Sequence, residues 1–145
     1  QVLTLRNDSL LTLPESISKL TALQTLDLGG NALTSLPKSI VELKNLQELF
    51  LDHDNRLDFR NAFLLLGRLP NLRILHLEGN QLSALPETIN EIRSLEKLYL
   101  NQNELTMVDL KRNSLKRLML IDLQENTIPV GTLDHLERTG VRIRF

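Results

Sequence analysis

The residues of this 145-residue chain with the means to do chemistry are few and scattered. His53 and His76, with Asp52 beside the first, are of the types that bind a transition metal or carry protons. Neither histidine belongs to a spaced ligand motif, and there is no cysteine to complete one. No metal and no cofactor is therefore expected. Nucleophilic catalysis would need a hydroxyl, a base and an orienting acid within reach of one another, and no Ser-His-Asp order or activated carboxylate pair stands out. Gly29 and Gly30 read as a strand-to-turn junction rather than a phosphate loop, and an enzyme is not expected. Lys111, Arg112, Lys116 and Arg117 form a basic cluster, extended by Arg138, Arg142 and Arg144. It reads first as a solvated outer face and second as a contact for an acidic protein or a phosphate.

More telling are Phe50, His76 and Tyr99, which a repeat places at equivalent positions. Leu23, Leu26, Leu28, Asn31 and Leu33 follow the spacing L-x-x-L-x-L-x-x-N-x-L, followed by Leu36, Pro37, Ile40 and Leu43. Leu46 restarts the count, and a fixed period in this range signals a solenoid. The frame runs backward through Leu3, Leu5, Asp8, Leu10, Leu13, Pro14, Ile17 and Leu20. It runs forward through Leu72, Leu75, Leu77, Asn80, Leu82, Leu85, Pro86, Ile89 and Ile92, then Leu95, Leu98, Leu100, Asn103 and Leu105, and last Leu118, Ile121, Leu123, Asn126 and Ile128. About six repeats follow, enough to bury a continuous core.

Three stretches depart from the frame. The repeat at 46–71 is longer. In it either Asp54 substitutes for the usual Asn or Asn55 and Leu57 take over through a bulge. Asp58 should cap a helix there whose Phe59, Phe63, Leu66 and Leu69 face inward, leaving Leu64 and Leu65 as surplus apolar residues, either an exposed contact patch or buried under the helix. In the next irregular repeat Val108-Asp109 replaces Leu-Pro. The closing segment, about 129–145, ends in the alternation Val141, Ile143, Phe145, which predicts a last strand.

In L-x-x-L-x-L the last two leucines lie two apart, so a short strand sends both to one side and the residue between them to the other. Each leucine buried on the core side contributes about 1.5 to 3 kcal/mol. Asn ends the strand because a primary amide both donates and accepts, so Asn31, Asn80, Asn103 and Asn126 can form a ladder between adjacent turns. Pro14, Pro37 and Pro86 sit where proline can open a helical turn. Helical turns are wider than the strand spacing of about 4.8 Å, so the stack should bend with a parallel sheet on its concave side.

These residues resemble the leucine-rich repeat family over nearly the whole chain. The half-repeat Leu-Pro-x-x-Ile-x-x-Leu is similar to the 23-residue type of bacterial repeat proteins and intracellular Ras-scaffold proteins. The resemblance implies an α/β fold, a right-handed horseshoe spanning residues 1–145 as a single domain. Its concave face is implied to bind protein.

Outward along the strands the middle column reads Thr4, Asp27, Phe50, His76, Tyr99 and Asp122. Three rings in succession, in a chain with only 4 Phe and 1 Tyr, form a hot-spot candidate or pack on one another across strands. Glu48, Asp52, His53, Arg73, Glu78, Lys97 and Asn101 flank them, with Gln47 and Ile74. A non-catalytic recognition module for another protein is the leading expectation. A scaffold or targeting segment of a larger effector or signalling protein, and a carbohydrate or surface-adhesion module, are the alternatives.

Composition narrows the partner. A formal net charge of -1 provides no global field for nucleic acid or an anionic membrane. No apolar run is long enough to insert in a bilayer. The chain is expected to be monomeric, and the lack of cysteine favours a cytoplasmic or bacterial-secreted origin. It opens inside a repeat at Gln1, as a trimmed piece of a longer protein would. The sequon Asn7-Asp8-Ser9 falls in a polar turn and reads as coincidence.

Overall fold

The computed structural model describes residues 1–111, 113–129, 131–137 and 140–145. Seven strands of three residues each follow the leucine frame: β1 (Val2–Thr4), β2 (Thr25–Asp27), β3 (Glu48–Phe50), β4 (Ile74–His76), β5 (Lys97–Tyr99), β6 (Leu120–Asp122) and β7 (Arg142–Arg144). They pair in parallel, in chain order, as one open sheet. In each the middle residue points into the core, and Leu26, Leu49, Leu75, Leu98 and Ile121 are fully buried. The fold is the α/β horseshoe expected of stacked leucine repeats.

The convex side is built from short turns of helix. 3-10 helices span Glu15–Lys19, Lys38–Glu42 and Glu87–Glu91. Each follows a proline, Pro14, Pro37 or Pro86, whose φ of -71°, -65° or -55° lies at the value its ring imposes. The proline stands just before the helix rather than as its first residue. Its carbonyl accepts the N–H of Ile17, Ile40 or Ile89, which drives that isoleucine inward.

The longer third repeat keeps its strand in register. Leu49 pairs with Leu75, and the extra residues are absorbed outside, in helix α1 (Phe59–Leu66). Asp58 caps it, accepting from the backbone N–H of Asn61, and Phe59, Ala62, Phe63 and Leu66 are buried. Leu64 is exposed, whereas Leu65 packs against the core.

An amide ladder runs the length of the stack. The side-chain nitrogen of Asn31 donates to the carbonyls of Leu5 and Leu28, that of Asn80 to Leu51 and Leu77, that of Asn103 to Leu77 and Leu100, and that of Asn126 to Leu100 and Leu123, all at 2.7–3.0 Å. Of the two arrangements open at the third repeat, Asp54 is the one adopted. It is 0% exposed, its Oδ2 accepts from the N–H of Leu33 at 3.0 Å, and its own N–H donates to Asn80 Oδ1. Leu57 fills the apolar position while Asn55 is exposed.

The expected last strand is β7, and Phe145, just past its end, is 64% exposed. One expectation needs correction: Arg142 and Arg144 do not extend an outer basic cluster, because β7 alternates, so Ile143 turns inward and the two arginines face the concave side. Arg112 and Arg138 lie outside the described residues. Of the remaining cluster, Lys111 is paired with Glu87 on the convex side.

Candidate functional site

Strand register aligns Thr4, Asp27, Phe50, His76, Tyr99, Asp122 and Arg144 in one row across the concave face. The three central rings lie side by side. Phe50 and His76 stack at 3.9 Å between centroids, 10° from parallel, and His76 and Tyr99 at 4.6 Å and 6°. The guanidinium of Arg6 sits over Phe50, 5.8 Å from its centroid. All three rings are half-buried.

His76 is the centre of this row electrically as well as sterically. Its Nδ1 meets Glu78 Oε1 and its Nε2 meets Glu48 Oε1, both at 3.1 Å. A neutral imidazole can donate from one nitrogen only, so satisfying both carboxylates takes the protonated ring. Burial alone would lower its pKa, but the hydrogen bonds and charges of Glu78 and Glu48 outweigh it and raise the value above 6.5. Phe50 and Tyr99 each present a π-face to that cation.

A second network lies one step along the strands, centred on Arg6, which the sequence reading did not single out. Its Nε donates to Asp27 Oδ2 at 2.9 Å, and Nη1 and Nη2 donate to Asp52 Oδ2 and Oδ1 at 2.8 and 2.7 Å. Such a two-pronged pair is the strong form of ion pairing. Arg6 belongs to the first repeat and Asp52 to the third, so the side chain must cross the second. Gly29 stands at the crossing, where a Cβ would come 2.5 Å from both Nη2 of Arg6 and Oδ1 of Asp52. The glycine is therefore more than a strand-to-turn junction, because it clears the path for Arg6. Burial would raise the Asp52 carboxyl, but hydrogen bonds from Arg6 and from His53, 3.0 Å away, hold it below its ordinary value.

The other expected residues fall on or beside the same face. Arg73 approaches Glu96 at 3.8 Å, and Lys97 lies in register between Ile74 and Leu120. Asn101 is half-buried at the strand end. His53 turns toward Asp52 and His76 toward the glutamates, so the two histidines do not share a ligand. Among the described residues, no trio of His, Cys, Asp or Glu is grouped to hold a metal ion. No helix among them is long and apolar enough to cross a membrane.

A row of short parallel strands in chain order, with an asparagine ladder at one end and short helical turns on the convex side, defines a leucine-repeat solenoid. Comparison agrees: residues 1–65 match the family model described as a leucine-rich repeat region, and residues 71–92 that described as Leucine Rich Repeat. The chain belongs to the leucine-rich repeat family. Among solved structures, an internalin from Listeria monocytogenes is 22% identical, with a TM-score of 0.62, over 92% of this chain and 37% of that one. A chain of the Toll–Spatzle complex of Drosophila is 17% identical, with a TM-score of 0.72, over 84% of this chain and 16% of that one. These identities speak to fold alone, and this chain spans well under two thirds of either protein. A search of curated proteins gives no match. Domains of this family generally mediate protein–protein interaction and are typically non-catalytic.

Proposed function

We propose that residues 1–145 act as a single, monomeric, non-catalytic domain that recognises another protein across the concave sheet. The observation that carries this reading is the outward row of Phe50, His76 and Tyr99, held in place by stacking and by ion pairs on either side. Rings fixed before contact save the ordering cost that flexible side chains incur on binding, and aromatic residues are favoured at binding hot spots. Each short strand contributes outward side chains at fixed spacing, which suits reading a surface rather than enclosing a small molecule.

The test is affinity capture followed by mass spectrometry, using the wild-type chain, the double variant F50A/Y99A, and R60A on the exposed convex helix. The proposal expects a partner recovered by wild type and R60A and lost with F50A/Y99A, whose melt should still show a folded chain. Equal recovery by all three would reject the concave face.

A further inference from the structure

Resting on that reading, we infer that the concave face is engaged through its β5–β7 half, by an acidic segment of the partner protein that carries apolar anchors. The inference comes from sorting the side chains of the face into those already committed and those free. In the β2–β4 half the charges are largely consumed. Both Asp52 oxygens take Arg6, Asp27 takes Arg6 and the N–H of Gly29, and Glu48 and Glu78 hold His76. Phe50 is covered by His76 on one side and by Arg6 within cation–π range. Glu78 Oε2 has no hydrogen-bond partner but is enclosed, so little accessible charge remains there for a partner.

The other half is differently disposed. Lys97 and Arg142 enter no ion pair among the described residues, and Arg144 reaches Asp122 only at 3.6 Å. Asp122 is otherwise engaged by the N–H of Gln124, and Glu96, at the flank, faces Arg73. The balance of free charge is therefore positive. Apolar surface lies beside it: Ile74 and Leu120 bracket Lys97 on the neighbouring strands, and Met119 is 55% exposed. Tyr99 stacks on His76, and among the described residues no second ring or cation lies over it. A cation flanked by apolar side chains is poorly screened once a partner covers it, which strengthens its pairing with a carboxylate. An extended segment sends every second residue to one face, so one that presents leucine, glutamate and leucine on a single face sets a carboxylate at Lys97 between apolar contacts to Ile74 and Leu120.

The probes are an acetylated peptide repeating Leu-Ser-Glu-Ser, whose leucines and glutamates share one face when extended, and its counterpart with lysine in place of glutamate, each titrated into the isotope-labelled chain by NMR. The glutamate peptide should move the amide signals of Ile74, Lys97, Tyr99 and Leu120, with affinity falling as salt rises. The charge reversal K97E/R142E should weaken it about tenfold and improve binding of the lysine peptide. Equal shifts from both peptides, shifts centred on Glu48 and Glu78, or no shifts on the sheet would overturn the inference. Loss of capture by F50A/Y99A would still uphold the concave reading in that event, whereas unaffected capture would bring down both.

Discussion

Replacing Asp54 by Asn should stabilise this protein, by an amount that depends on pH. At the regular rungs of the ladder a side-chain nitrogen donates to two buried carbonyls. By the same spacing, Asp54 should bridge Leu28 and Leu51. An ionised carboxylate has no hydrogen to offer, and its Oδ1 is enclosed without a hydrogen-bond partner. Each restored bond contributes about 0.5 to 1.5 kcal/mol, and a stranded buried acceptor costs about 1 to 3 kcal/mol. D54N should therefore gain about 1 to 3 kcal/mol at neutral pH, a rise in Tm of roughly 3 to 8 °C for a chain of this size. Burial raises the Asp54 carboxyl, against the lowering effect of the backbone hydrogen bonds from Leu33 and Arg56. A carboxyl whose folded value is raised favours folding fully below its unfolded pKa of about 3.9, and loses that contribution as pH climbs through the folded value. The advantage of D54N should thus be small at about pH 4 and widen toward about pH 8. Guanidinium unfolding of both proteins across that range reads the difference directly, and other carboxylates cancel in the comparison. A variant no more stable than wild type at neutral pH, or a gap unchanged by pH, would refute the reasoning.

Leu75→Ala, at a fully buried position in the middle of the sheet, should cost about 2 to 5 kcal/mol in denaturant unfolding. His76 should titrate above 6.5 by NMR, and the variant E48Q/E78Q should bring its pKa down, because burial then acts unopposed. Its raised folded value means that His76 stabilises the fold fully below about pH 6.5 and that this contribution fades as pH rises through the folded value; H76Q should abolish that pH dependence in melts. Arg6→Ala should cost about 1 to 2 kcal/mol, toward the low end because the side chain is 34% exposed. Gly29→Ala should cost a similar amount in wild type and less in an R6A background, where the Asp52 carboxylate is still close but no longer held by the guanidinium; the double-mutant cycle measures the part of the obstruction due to Arg6.

The path of the chain was legible because leucine spacing leaves little choice: alternation over three residues decides which side chains enter the core, and the repeat decides which strands are neighbours. The same alternation placed Phe50, His76 and Tyr99 in one outward row. Their stacking depends on side-chain torsions that spacing does not encode. Arg6 was missed although the frame aligns it with Gly29 and Asp52, a long cation, an absent side chain and an acid in successive coils. Its reach across two repeats breaks the habit of pairing each repeat only with the next. Asp54 and Asn55 were both admissible because three extra residues can be inserted on either side of the turn, and only backbone hydrogen bonding separates them. Arg142 and Arg144 were grouped with Lys116 and Arg117 by proximity in the chain, although their alternation with Ile143 sends them to the opposite surface.

In a linear array whose coils touch only their immediate neighbours, unravelling begins at an end and proceeds one coil at a time. The Arg6 guanidinium, seated on carboxylates of the second and third coils, acts as a rivet through the amino-terminal three. That end must come apart as a block or stay closed. Hydrogen exchange should accordingly advance from the carboxyl end inward, giving the unzipping a direction that the shared leucine frame would not by itself supply.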